Sequence, residues 1–109
     1  MKNPQSDHIL RQMVQRLVQR FDPEQIILFG SRARGQARLD SDYDLLVVMP
    51  VTGSKRAQQV AMRVALHDFD VPKDVIVVTP EEIARQRNIV GTLVRPAVRE
   101  GKVLYVRDQ

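Results

Sequence analysis

Three short apolar runs, Gln25–Phe29, Tyr43–Met49 and Asp74–Val78, limit more than anything else the folds open to this chain. Each is five to seven residues of mostly Ile, Leu, Val and aromatic side chains bounded by Gly, Pro or Asp. That is the pattern of strands buried on both faces, and it is too short for a helix that must bury a stripe. The segments between them have another period. From Ser6 to Phe21 the apolar residues Ile9, Leu10, Met13, Val14, Leu17, Val18 and Phe21 recur every three or four positions, predicting an amphipathic helix that Asp22-Pro23 stops. Thr52, Gly53 and Ser54 read as a turn with a helix-capping hydroxyl, opening a second long helix in which Ala57, Val60, Ala61, Val64 and Ala65 mark one face, running to about Leu66 or Asp68. Thr79-Pro80-Glu81-Glu82 combines a capping hydroxyl, proline at the first helical position and a glutamate three residues after the cap. Leu93, Val94, Ala97 and Val98 predict a last short helix whose start Pro96 restricts, with Gly101 at its end and Val103–Val106 as an edge strand. The polar, arginine-rich stretch from Ser31 to Ala37 reads as one or two helical turns, and Leu39 to Ser41 as a loop. The expected order is αβαβαβααβ: one α/β (α+β) domain over residues 1–109, with a small mixed β-sheet flanked by helices.

Composition removes several classes of chemistry. With no cysteine there is no disulfide framework, cysteine-ligated zinc, iron–sulfur cluster or thiol nucleophile. His8 and His67 stand 59 positions apart and do not suggest a histidine metal site. No apolar run reaches the roughly 18 residues of a membrane helix, and the start MKNPQSDH is too polar for a secretory core, so a cytoplasmic protein is expected. Seventeen Lys+Arg against 13 Asp+Glu leave a net charge of +4, compatible with phosphate-bearing ligands. Nucleic acid is the weakest fit, because three Phe, two Tyr and no Trp provide few stacking platforms and the arginines are scattered.

The informative segment is Gly30-Ser31-Arg32-Ala33-Arg34-Gly35-Gln36-Ala37-Arg38-Leu39-Asp40-Ser41-Asp42-Tyr43-Asp44. Asp42 and Asp44 are one residue apart at the head of a strand, so both side chains leave the same face with Cα atoms about 6–7 Å apart. Such a pair repels itself unless a cation intervenes. Mg²⁺, held by one or two carboxylates and substrate phosphates, suits it. Asp74 opens the next strand and would converge on the same site if the two strands are neighbours. The alternative for all three is a turn role, as Asp40-Ser41-Asp42 suggests; against it, Asp44 already stands in the pleat of Leu45-Leu46-Val47-Val48, where an unpaired charge is costly. Two other motifs fail. A calcium loop starting at Asp40 would need Gly and Glu where the chain has Leu45 and Val51, and a P-loop starting at Gly30 would need Lys-Ser/Thr where it has Gln36-Ala37. What remains is a strand ending at Gly30 and Ser31 at a helix start, an anion site of free N–H groups and a hydroxyl, with Arg32 and Arg34 adding charge. Ser31 as a simple cap and the arginines as a solvated face stay open.

Gly30-Ser31, ten intervening residues, Asp42-x-Asp44 and a later Asp heading an apolar strand resemble the signature of the polymerase-β-type nucleotidyltransferase superfamily. Within it, the length and the run GSRARG…SDYDLLVV resemble the minimal nucleotidyltransferases (MNT), usually encoded beside a helical HEPN protein. The resemblance spans about Ile26 to Tyr105 and implies a polymerase-β-like core that transfers a nucleoside monophosphate, most often AMP from ATP, to a hydroxyl. It further implies that Asp42, Asp44 and Asp74 hold two Mg²⁺ ions, that Gly30 and Ser31 hold the β and γ phosphates with help from Arg32 or Arg34, and that Asp74 takes the acceptor proton. It also implies an antitoxin that silences a HEPN toxin by adding AMP to a tyrosine. Two alternatives stand beside this reading: transfer to a small molecule, whose relatives carry an extra helical domain, and a non-catalytic module that neutralises its partner by occupancy. Self-association is left open.

Overall fold

A computed structural model describes residues 4–107 apart from 37, 39 and 40, with side chains described from His8 onward. Its elements are α1 (Pro4–Phe21), β1 (Gln25–Phe29), β2 (Tyr43–Val48), α2 (Lys55–Ala65), β3 (Lys73–Val78), α3 (Pro80–Gln86), α4 (Val94–Glu100) and β4 (Lys102–Val106). The strands form one mixed sheet in the order β3-β2-β1-β4. β1 runs antiparallel to β2 and β4, and β2 runs parallel to β3 with α2 as the crossover. The α/β class, the four strands and the edge position of β4 agree with the sequence reading.

Alternation along the strands splits the core into two layers. Ile26, Leu28, Tyr43, Leu45, Val47, Val75 and Val77 pack against Met13 and Leu17 of α1, Met62 of α2 and Leu66 just after it. Ile27, Leu46, Val48 and Val78 pack against Val94 and Ala97 of α4, with Ile83 of α3 alongside. Leu45, Leu46 and Val47 are fully buried in succession because β2 is covered on both faces. Each such side chain contributes roughly 1.5–3 kcal/mol on burial.

Local chemistry explains the helix ends. Asp22 adopts φ +50° and its N–H donates to Val18 O, so this residue and Pro23 turn the chain out of α1. Thr79 and Glu82 form the predicted capping box, each side chain accepting from the other residue's backbone N–H at 3.1 Å. α4 starts at Val94 and tolerates Pro96 because the third helical N–H has no intrahelical acceptor. Gly101 ends it in extended backbone, where a Cβ would lie 2.2 Å from Ala97 O.

Two expectations are corrected. Residues 31–35 form turns rather than helix, so β1 leads directly to β2 and the order is αββαβααβ; Ala37, Leu39 and Asp40 lie outside the described residues. The buried face of α2 is Met62 and Ala65, continuing to Leu66, whereas Ala57, Ala61, Val60 (47% exposed) and Val64 (61%) face outward. α2 lies over β3 at the border of the sheet, so only a narrow stripe is covered. Arg16, on the polar side of α1, staples α1 to the end of α2. It pairs with Asp68, donates to Ala65 O at 3.1 Å and stands 4.5 Å above the Phe69 ring. Among the described residues no helix is long and apolar enough to cross a membrane.

Candidate active site

Strand register assembles the site at one end of the sheet. β1 places Phe29 opposite Asp44, and β3 places Asp74 in register with Asp44 on the other side. All three occupy the sheet face shared with α3 and α4. Gly30, following Phe29, turns with φ +78°, and a Cβ there would fall 2.3 Å from Asp44 Oδ2. Only glycine combines that left-handed backbone with so close an approach to a carboxylate. Asp42 lies one residue outside β2 and is exposed.

The charges meet at Asp44. Burial pushes its carboxyl above the ordinary 3.8, and the carboxylates of Asp42 and then Asp74 push it the same way, while Arg34 opposes them. Asp74 is held differently: Arg63 Nη2 donates to its Oδ1 at 2.7 Å and Val75 N–H donates to the same oxygen at 3.0 Å. Arg63 also donates to Val75 O at 3.3 Å, and Gln59, one turn earlier on α2, accepts from Val77 N–H at 2.8 Å. These two side chains cover backbone groups that border strand β3 would otherwise expose.

Among the described residues, no three His, Asp or Glu side chains are grouped closely enough to hold one metal ion between them. The residues nevertheless fit a hard divalent cation. Asp42 and Asp44 supply oxygen donors, and the repulsion concentrated on Asp44 is what such an ion would relieve. Asp74 stands beside this pair, tied to Arg63.

The turn after β1 is closed by Arg34 N–H on Gly30 O at 3.2 Å and Gln36 N–H on Ser31 O at 2.9 Å. The N–H groups of Ser31 and Ala33 and the Ser31 hydroxyl donate to no described residue, so the hydroxyl does not cap a helix here. Arg34 Nη1 lies 3.8 Å from Glu100. Arg32 turns to the base of the loop, its Nε donating to Ser41 O at 3.0 Å and its guanidinium 3.9 Å from the centroid of the buried Tyr43 ring. Of the residues picked from sequence, Gly30, Asp42, Asp74 and Arg34 thus gather around Asp44, Ser31 adjoins them in the turn, and Arg32 braces the loop. Arg63 escaped the sequence reading; it lies 11 residues before Asp74 on a helix whose polar positions look alike.

A mixed sheet between helical layers, with a glycine turn pressed against a carboxylate that two others flank, defines a core suited to handling phosphate charge. Residues 10–103 match the nucleotidyltransferase domain family, and the chain belongs to that family. A search of curated proteins gives no match. Among solved structures, the fold is similar to that of a Sulfolobus solfataricus protein described as a candidate nucleotidyltransferase. That match has a TM-score of 0.65 at 22% identity and covers 92% of this chain and 79% of the other. It is also similar to a mutant MntA–HpeT toxin–antitoxin carrying two aspartate-to-glutamate substitutions (TM-score 0.59, 20% identity, 90% and 73% covered). A third is a toxin–antitoxin structure with AMP-PNP (TM-score 0.56, 22% identity, 90% and 73% covered). At these identities the structures establish a shared fold, that of a polymerase-β-like nucleotidyltransferase.

Proposed function

We propose that this chain is a Mg²⁺-dependent nucleotidyltransferase that moves AMP from ATP to a hydroxyl of a partner protein, a tyrosine of a HEPN-type helical toxin, and so acts as its antitoxin. The observation that carries the reading is Asp44, close against Gly30 on one side and crowded by the carboxylates of Asp42 and Asp74. The nucleotidyltransferase family supports the reaction class. Toxin–antitoxin pairs and AMP-PNP among the structures of similar fold support the partner and the nucleotide.

In this mechanism Gly30 lets the triphosphate approach the backbone, and the Ser31 and Ala33 N–H groups and the Ser31 hydroxyl bind the β and γ phosphates. Asp42 and Asp44 hold the divalent ions, two in number, and Asp74 completes the site on the acceptor side. Magnesium, when bound, supplies neutralisation of the triphosphate charge and activation of the attacking oxygen. Arg34 steadies the phosphates, while Arg32 keeps the loop folded on Tyr43. The hydroxyl oxygen attacks the α phosphorus as its proton passes to Asp74. The new O–Pα bond forms, the Pα–O bond to the β phosphate breaks, and pyrophosphate leaves.

The test is to incubate the protein with Mg²⁺, α-labelled ATP and a HEPN-type helical partner, and to seek an AMP mass increment on that partner. Transfer that is lost in Asp42→Asn and Asp44→Asn is expected. A tight complex with no transfer under any nucleotide would overturn the reaction, and transfer unchanged in both variants would overturn the metal assignment.

A further inference from the structure

Asp74 receives both of its donors at one oxygen. Arg63 Nη2 and Val75 N–H converge on Oδ1, at 2.7 and 3.0 Å, and Oδ2 accepts no hydrogen bond from any described residue. A carboxylate gripped in this way cannot rotate about its Cβ–Cγ bond without breaking both bonds, so its two oxygens are no longer equivalent. Arg63 is itself well placed to grip. Its neighbour Met62 is fully buried, and the same Nη2 also donates to Val75 O at 3.3 Å. The contact is a single donor on a single oxygen rather than a two-pronged ion pair.

We infer that Arg63 is a positioning residue for nucleotidyl transfer: it clamps Oδ1 of Asp74 so that Oδ2 is the oxygen offered to the metal and the acceptor hydroxyl. The inference rests on the proposed role of Asp74 and adds the part of α2 to the site. An exposed ion pair of this kind contributes little to stability. Partners that orient a ligating carboxylate, by contrast, typically change metal affinity or activity about 10- to 100-fold when removed. The two roles therefore separate in measurement.

The experiment compares wild type with Arg63→Ala, Arg63→Lys, Asp74→Ala and the double variant. Two quantities are read: Mn²⁺ affinity by calorimetry with a non-hydrolysable ATP analogue present, and kcat and KM for AMP transfer. Arg63→Ala is expected to lower Mn²⁺ affinity and kcat about 10- to 100-fold, with KM for ATP nearly unchanged because Gly30, Ser31, Asp42 and Asp44 remain. Arg63→Lys should recover part of the loss, since one donor suffices, and adding Arg63→Ala to Asp74→Ala should change nothing more. Additive losses in the double variant would overturn the inference, as would an Arg63→Ala protein that merely melts lower with wild-type affinity and kcat. A wild type that binds no metal with nucleotide overturns the proposed function and this inference together. Wild-type binding and transfer with an indifferent Arg63→Ala overturns this inference alone.

Discussion

Substituting alanine for Gly30 separates the two demands the site makes on that position. The first is backbone: φ is +78°, and an alanine there costs about 1–2 kcal/mol. The second is space. The new Cβ would stand 2.3 Å from Asp44 Oδ2, about 1 Å inside an ordinary carbon–oxygen contact. The atom it meets is the end of a side chain, so Asp44 can swing aside at little cost to stability and a large cost to the site. Gly53 provides the control, with φ +90° and nothing within 4 Å of its added Cβ. Both variants should lose melting temperature alike, by roughly 5–15 °C for a chain of this size. Gly30→Ala alone should then lose about 100-fold in transfer rate, the usual consequence of misplacing a reacting group by about 1 Å. Calorimetric melting and a labelled-ATP transfer assay on both proteins decide the matter. Transfer by Gly30→Ala within a few-fold of Gly53→Ala would show that the proximity to Asp44 is without consequence.

Ser31→Ala should leave the melting curve in place, since the hydroxyl donates to no described residue, and should weaken ATP binding about 10-fold, the worth of a hydrogen bond to a charged phosphate. A lowered melting temperature with unchanged affinity would make it a structural residue instead. In the folded chain Asp44 titrates above 3.8, so folding favours its protonated form. That contribution is complete below about 3.8 and disappears as pH rises through the folded value. Metal-free wild type should therefore lose melting temperature relative to Asp44→Asn as pH rises from about 3.8 through the folded value; parallel pH profiles would contradict the burial and crowding of carboxylates that raise it. Glu82 has the opposite sign. Lys55, 2.7 Å away, and the Thr79 N–H hold its carboxyl below 4.5, so its stabilisation is present above 4.5 and is lost as pH falls through the folded value. Glu82→Gln keeps a capping side chain and should remove up to about 1 kcal/mol at neutral pH together with this acid-side slope, read by melting across the acid range.

Strands announced themselves in the sequence because β1, β2 and β3 are each covered on both faces, which forces unbroken apolar runs such as Leu45-Leu46-Val47-Val48. The start of α3 was equally legible, since Thr79, Pro80 and Glu82 act within a single turn. The segment after Gly30 was not. Its composition suits helix, but Arg32 is drawn onto Tyr43 and Ser41, and those tertiary contacts arrest the chain in turns. The inward face of α2 was misjudged for a related reason. Val60 and Val64 are as apolar as Met62 and Leu66, and only the position of the helix over a border strand decides which pair is covered. Asp42 and Asp44 could be paired from their spacing alone. That Asp74 joins them depends on β2 and β3 being adjacent and in register, a property of topology. Arg63 enters through the same crossover.

The two ends of the carboxylate row are set in materials of different stiffness. Asp44 stands on an interior strand laced to neighbours on both sides, whereas Asp74 stands on the sheet's border, where Gln59 and Arg63 take the place of a further strand. Distortion applied to this end of the molecule is therefore absorbed at β3 before it reaches β2. Whatever give the row possesses lies at Asp74, and Asp44 keeps its place beside Gly30.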